Sequence, residues 1–331
     1  MMESLTSNIA GDKNIDVSIV IVSYNTSSLT SQCLEKVEKH LKKVSYEVIV
    51  VDNASTDGSP DMIAEMFPWV HLICLSENRG FAGGNIPGMK KATGRYVLLL
   101  NSDAFLTENV VENTISYMDQ RPKVGILGCK LTNPDGSMQP SARMLPSPLN
   151  KILHITGLSD RFPDSRFFGR VNFSWWNHSE PRSVGWVVGA YFLIRRAVVE
   201  AIGFLDPGYF LYFEEIDYCL MAKRVGWDVV FYPYANVVHL GGQSAKITDP
   251  NVSKNGMQVT SIRMESELRY YNKLYGYGHA LLSAAIECVW NMIVLFKNMF
   301  LFSKKAFYKR IEAAMAIRLM ITTLKANRWR R

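Results

Sequence analysis

An α/β fold built on a mostly parallel central sheet is predicted by three features of the N-terminal third of the chain. Short apolar runs recur without alternation, amphipathic stretches separate them, and polar or acidic residues follow each run directly. A strand covered on both faces loses the period-two pattern because neither face meets water. Strands of that kind alternating with helices fit a doubly wound parallel sheet.

The elements follow in order. Val17–Ser23 (VSIVIVS) reads as the first strand, and Leu29, Cys33, Val37 and Leu41 then form one helical stripe at four-residue spacing. Glu47–Val51 (EVIVV) reads as the second strand and ends at Asp52. Ser59-Pro60 signals a helix start, with Ser59 as N-cap and Pro60 in the first turn. His71–Leu75 and Tyr96–Leu100 (YVLLL) are two further strands, with a helix over Phe81–Ala92 between them. Residues 130–185, rich in Pro, Ser, Asn, Arg and aromatics, show no clear period and read as an irregular insertion with one short helix near Leu149–Leu158. From Trp186 order returns. A strand (Trp186–Ile194), a helix (Ala197–Ile202), a helix (Ile216–Val225) and strands at Val229–Tyr232 and Asn236–His239 are predicted, with Gly226 as the αL residue that ends the second helix.

The 331 residues are 48% hydrophobic and 20% charged, which excludes a largely disordered protein and gives room for one large domain with additions. Residues 1–16 are polar and read as a loose lead-in without a secretory signal. The five cysteines are odd in number and scattered, with no CxxC pair, so neither a disulfide framework nor a zinc site is expected. Free buried thiols in a reducing cytosol are expected instead. The formal charge of +7 is unevenly placed. Lys297–Arg331 carries ten Lys/Arg against one acid, Glu312, so the tail holds +9 and residues 1–296 hold −2.

A basic tail suits an anionic membrane or nucleic acid, and the segment before it favours the membrane. Ala280–Phe302 is strongly apolar, with Ser283, Glu287, Asn291 and Asn298 on one narrow stripe if helical. Glu287 near its middle disfavours a spanning helix. Such a helix lies in a membrane interface, or packs on the body or in a homodimer. The basic residues accompany no nucleic-acid reading motif, so no nucleic acid is expected.

Ligands of doubly wound sheets bind beyond the carboxyl ends of the strands. Here those ends are Ser23-Tyr24-Asn25, Asp52-Asn53, Ser76-Glu77-Asn78-Arg79-Gly80 and Asn101-Ser102-Asp103. Asp103 at a buried strand's exit can hold a hard divalent cation shared with substrate phosphates, or cap a following helix. Asp52 can accept a hydrogen bond from a base imide, or close an Asx turn. The loop Asn78-Arg79-Gly80-Phe81-Ala82-Gly83-Gly84-Asn85 allows close backbone approach to a phosphate or sugar, but matches neither the dinucleotide-binding nor the P-loop pattern. Glu214-Glu215-Ile216-Asp217 follows the aromatic run Tyr209–Phe213 and can supply a general base of raised pKa, or complement a helix dipole. His239 follows a strand and is a structural histidine or a ligand.

Taken in order, these segments resemble the inverting family-2 glycosyltransferases with a GT-A fold. The matching residues are Val17–Asn25, Val51–Ser59, Asn78–Asn85, Asn101-Ser102-Asp103, Gly189-Ala190, Glu214–Asp217 and His239-Leu240-Gly241-Gly242. The rhamnosyltransferase-like branch is the nearest subgroup, with Phe-Glu-Glu-x-Asp in place of Glu-Asp-x-Asp. Asn85-Ile86-Pro87 departs from the common Asn-Asn-x-Gly.

The resemblance implies a transferase domain over 17–275, with a nucleotide-binding half at 17–129, an acceptor half at 186–245 and a basic helical tail at 276–331. It implies a donor site at the strand ends and the Asn78–Asn85 loop, including Gly189 and Ala190, with Asp52 on the base. Asp103 and His239 would hold Mg²⁺ or Mn²⁺. Glu215 would be the base, and Asp217 and Glu214 supporting acids. The implied donor is a dTDP- or UDP-sugar, with rhamnose the subgroup's sugar. The implied acceptor is a glycan or polyprenyl-diphosphate-linked saccharide at the cytoplasmic face of the cell membrane. Processive members carry Gln-x-x-Arg-Trp; Lys325-Ala326-Asn327-Arg328-Trp329 lacks the Gln, so one sugar per encounter is expected. A nucleotidyltransferase would place a Gly-rich loop where Ser23-Tyr24-Asn25-Thr26 stands, and a non-catalytic scaffold would not need Asp103 and Glu215.

Overall fold

The computed structural model describes residues 15–241, 257–327 and 329. Residues 1–14 of the lead-in, Gly242 of the His239 motif and Arg328 lie outside them.

The first half follows the expected alternation: β1 (Val17–Ser23), α1 (Ser27–His40), β2 (Tyr46–Asp52), α2 (Ser59–Met66), β3 (His71–Cys74), α3 (Gly80–Lys91) and β4 (Tyr96–Asn101). Strands β3, β2, β1 and β4 lie side by side and parallel. Alternate residues of one strand point to opposite faces. Val48, Val50, Leu98 and Leu100 therefore pack beneath α1, while Val51, Val97 and Leu99 enter a second core on the α3 side. Helix α3 lies close on the sheet because it is rich in glycine. A Cβ on Gly88 would sit 2.3 Å from Val20, and one on Gly84 would sit 2.9 Å from Val22. At α2 the cap is Gly58, with φ +80°, while Ser59 is the first helical residue and donates its hydroxyl to Asp57 at 2.5 Å. The expected Ser59 cap is thus displaced by one residue, since glycine alone takes that backbone conformation without strain.

Beyond β4 the chain forms β5 (Ala104–Leu106), α4 (Val110–Asp119), β6 (Val124–Thr132), β7 (Met138–Gln139) and β8 (Ala142–Arg143). The insertion carries α5 (Pro148–Ile155), capped by Ser147, then α6 (Leu158–Arg161) and β9 (Arg182–Ser183). The predicted strand Trp186–Ile194 is two strands, β10 (Trp186–Val187) on β8 and β11 (Tyr191–Arg195) between β4 and β6. Residues 188–190 cross from one sheet to the other, so the apolar run never made one ladder. Next come α7 (Arg196–Ile202), α8 (Glu214–Arg224) and β12 (Asp228–His239). The two short strands predicted at Val229–Tyr232 and Asn236–His239 form this single strand, with a register irregularity between Tyr232 and Asn236. Strand β12 runs parallel to β6 and antiparallel to β5, so the main path is β3-β2-β1-β4-β11-β6-β12-β5, with β7 on β6 and β9 on β12 beside it. The fold class is the expected α/β sheet with flanking helices.

Three helices close the described chain: α9 (Met257–Tyr275), α10 (Tyr277–Met299) and α11 (Lys304–Ala326). Ser283, Glu287 and Asn298 on α10 are buried. Lys151 of α5 binds Ser283 at 2.9 Å, Glu267 of α9 at 2.9 Å and Glu287 at 3.1 Å. The polar stripe therefore faces the body. Cys33, Cys129 and Cys219 are buried free thiols, whereas Cys74 is exposed.

Candidate active site

A cleft of about 260 Å³ opens along the carboxyl ends of β1, β2 and β4. Of the residues singled out in the sequence, Tyr24, Asn53, Asn78, Gly80, Asn101, Ser102, Asp103, Gly189, Ala190, Glu214, Glu215 and His239 line it. Topology alone brings them together, because β4 and β12 leave the sheet at the same edge.

On one wall the side chains fix each other. The Asn53 amide donates to Asn78 Oδ1 at 2.9 Å and to the Gly80 carbonyl at 3.0 Å, and its Oδ1 accepts from the Arg79 N–H at 2.9 Å. Gly80 has φ +67°, and a Cβ there would collide with the Phe210 carbonyl. The Phe81 N–H donates to that same carbonyl at 2.7 Å, tying this wall to the opposite one. Asp52 closes an Asx turn through Oδ2 to the Ser55 N–H at 2.9 Å, while its buried Oδ1 has no partner. One oxygen holds the turn and the other is left without a partner.

Seven of the predicted donor-site residues lie outside the lining, buried Asp52 among them. Ser23 bonds Thr30 at 2.9 Å, and Asn25 receives the Thr56 N–H at 2.8 Å. The Arg79 guanidinium pairs with Glu77 at 3.3 Å. Gly83 and Gly84 serve close packing against Arg79 and Val22, and the Asn85 amide donates to the Phe81 carbonyl at 2.8 Å.

Asp103 precedes a strand rather than a helix. Pairing of β5 with β12 sets Ala104 opposite His239, and this brings the imidazole to the carboxylate. His239 Nε2 lies 3.4 Å from Asp103 Oδ1 and 3.4 Å from the Asn101 amide nitrogen. Gln139 of β7 sets the tautomer. Its Nε2 donates to Asn133 Oδ1 at 2.6 Å and to the His239 carbonyl at 2.7 Å. That leaves its Oε1, 2.9 Å from Nδ1, as the acceptor. In the neutral ring Nδ1 is therefore the donor, and Nε2 is left with its lone pair beside Asp103 and the Asn101 amide. Two electron-rich atoms facing each other, with unpartnered Asn101 Oδ1 beside them, suit a divalent cation. Among the described residues no cluster of three His, Cys, Asp or Glu could hold a metal. Ligand oxygens would have to complete the shell.

The opposite wall carries strain and charge. Tyr212 and Phe213 have φ +68° and +70°, a conformation disfavoured for aromatic side chains. They turn the chain into α8 so that Glu214 and Glu215 open the helix instead of preceding it. Burial pushes the Glu214 carboxyl well above its ordinary range, and the charge of Glu215 adds to that push. Burial also raises Glu215, but a hydrogen bond from Glu214 and the charge of Arg143 oppose it. Burial thus raises both carboxyls, and Arg143 acts on Glu215 to favour its charged form. Arg143, from β8, is held by Asn172 Oδ1 at 2.8 Å. Asp217 points away from the cleft to Lys273, which also binds Asp206 at 2.8 Å. Burial raises the Asp217 carboxyl, and Lys273 offsets this only in part. Lys273, Gln139 and Arg143 were invisible to sequence reasoning. Val259 and Ile262 of α9 complete the cleft.

A sheet of this topology, with acids and an imidazole gathered at its carboxyl edge, has the GT-A architecture. The signature of glycosyl transferase family 2 matches residues 18–220, and the chain belongs to that family. Among curated relatives, the N-acetylglucosaminyl-diphospho-decaprenol L-rhamnosyltransferase of Mycobacterium tuberculosis is 29% identical over 203 residues, 58% of this chain and 66% of that protein. The match thus spans just under two thirds of that relative's length. The dTDP-rhamnosyl transferase RfbF of Shigella flexneri is 23% identical over 72% of this chain and 74% of its own. The mannosyltransferase of Pyrobaculum calidifontis, solved with GDP-Man and Mn²⁺, covers 95% of this chain and 88% of its own at TM-score 0.54 and 16% identity, a likeness of fold.

Proposed function

We propose that this protein is an inverting, non-processive glycosyltransferase that moves one sugar from a nucleotide-sugar to a lipid-linked saccharide during cell-surface polysaccharide synthesis. L-Rhamnose from dTDP-rhamnose is the donor sugar favoured by the names of the two rhamnosyltransferase relatives. The observation that carries the reading is the cleft itself, where the Asp103–His239 pair and the Glu214–Glu215 pair line one space.

Asn53 and Asn78 shape the donor wall, and the free Asp52 oxygen suits a thymine or uracil imide N–H. Glu215 accepts the proton of the acceptor hydroxyl, whose oxygen attacks the anomeric carbon as the bond to the diphosphate breaks. A single displacement inverts that carbon. Glu214, hydrogen-bonded to Glu215, keeps the base in place. Asp103 and His239 would hold Mg²⁺ or Mn²⁺, which when bound offsets charge on the departing nucleoside diphosphate. Asp217, tied to Lys273, anchors the first turn of α8.

A screen of nucleotide-sugars with Mn²⁺ or Mg²⁺ and a polyprenyl-diphosphate N-acetylglucosamine acceptor tests the reading. Metal-dependent turnover of one donor, with weakened donor binding and lost hydrolysis in Asp103→Ala, is expected. Unchanged hydrolysis in Asp103→Ala would sink it.

A further inference from the structure

Helix α10 is turned inside out relative to a helix of a water-soluble bundle. Its buried polar seam meets Lys151, and Val289, Met292, Ile293 and Phe296 face outward with about half or more of their surface exposed. By length and composition it could cross a bilayer, but Glu287 at its centre is ion-paired to the body. A spanning helix would have to break that pair. Its apolar face continues into the turn to α11, where Phe300 is 71% exposed and Phe302 is 98% exposed. Exposed lysines flank this tip on both sides: Lys297 before it, and Lys304, Lys305 and Lys309 after it.

We propose that the tip of the α10–α11 hairpin inserts into an anionic lipid bilayer. The apolar rings enter the acyl boundary while the lysines meet the headgroups. Charge singles out a bilayer over a second copy of the chain. Residues 1–296 sum to −2, whereas the tail from Lys297 carries +9, and two copies joined at their tips would bring like charges together.

The hairpin geometry also orients the cleft. Ser283 donates to Glu267 at 2.8 Å, which sets the level of α10 against antiparallel α9. Eight residues before Glu267 on α9 stands Val259, in the wall of the cleft. Eight residues beyond Ser283 on α10 stands Asn291, so both lie about 12 Å along their helices from the contact. Phe300 and Phe302 project further in that same direction. A bilayer at the tip therefore meets the molecule at the cleft's end of α9, where a lipid-linked substrate would arrive.

Sedimentation of the full chain with phosphatidylglycerol-containing vesicles, and separately with pure phosphatidylcholine vesicles, tests this. Binding to the anionic vesicles alone, reduced by salt, is expected. Phe300→Ser with Phe302→Ser should weaken it by about tenfold or more, and Lys304→Glu with Lys305→Glu should remove the anionic preference. Nucleotide binding at the cleft, measured without vesicles, confirms that both variants fold. Equal binding of wild type and variants, no binding to either vesicle, or a dimer in sedimentation velocity that the phenylalanine variant dissolves would each overturn the proposal. Vesicle binding without sugar transfer would leave this inference standing while removing the proposed activity, and transfer without vesicle binding would do the reverse.

Discussion

The two walls of the cleft use their polar groups in opposite ways. On the donor wall Asn53, Asn78 and the backbone of Arg79 and Gly80 satisfy one another. On the wall led by α8, Tyr212 and Phe213 hold strained backbone, and Glu214 and Glu215 each keep a buried oxygen without a partner. A satisfied network is rigid and suits binding of a common group such as a nucleotide. Unsatisfied, displaced-pKa carboxylates on strained backbone are costly to the fold and suit chemistry. The walls meet where Phe81 donates to the Phe210 carbonyl, so ordering one orders the other.

The sharpest way to break this contrast is Glu215→Gln. It removes the base but keeps the volume, so transfer should fall by about 10²–10⁴-fold. Donor affinity, read by calorimetry, should stay near wild type, and a parallel loss of both would erase the distinction between walls. Next in size is Gln139→Leu, which frees the His239 ring. Mn²⁺ affinity, followed by electron paramagnetic resonance in the presence of nucleoside diphosphate, should weaken by about 10–100-fold. Wild-type affinity would show that Gln139 does not set the tautomer.

Asn53→Ala probes the donor wall itself. It leaves Asn78 and the Arg79 N–H short of partners and should lower stability in urea by about 1–3 kcal/mol. The pH profile sharpens the other wall. Glu215 must be ionised to accept a proton, and its pKa is raised, so the acid limb of kcat/KM should lie above the ordinary carboxylate range. Arg143 lowers that pKa, so Arg143→Leu should move the limb to higher pH. A limb that stays put would remove Arg143 from the site's electrostatics.

The strands behind the donor wall were legible because their signal is local. Continuous apolar strands announce the parallel sheet, and the polar residues at their ends follow by topology. Strand β6 was not legible, since Gly125 and Gly128 interrupt its apolar run. A Cβ at either would strike Trp227, Val198 or Val187, so packing rather than patterning chose those residues. The supports of the chemistry were not legible either. Gln139 and Arg143 sit in two-residue strands that leave no periodic trace, and Gln139 is 100 positions from the imidazole it holds. Lys273 reaches Asp217 across 56 positions. The polar seam of α10 was readable, but its direction depends on Lys151, 132 positions before Ser283.

A single displacement with Glu215 as base fixes the stereochemistry of the product, which proton NMR of the transfer reaction reads. Wild-type protein should yield a product whose anomeric configuration is opposite to that of the donor sugar, and Glu215→Gln should yield none while still binding donor. A product of retained configuration, or the same product at wild-type rate from Glu215→Gln, would contradict it.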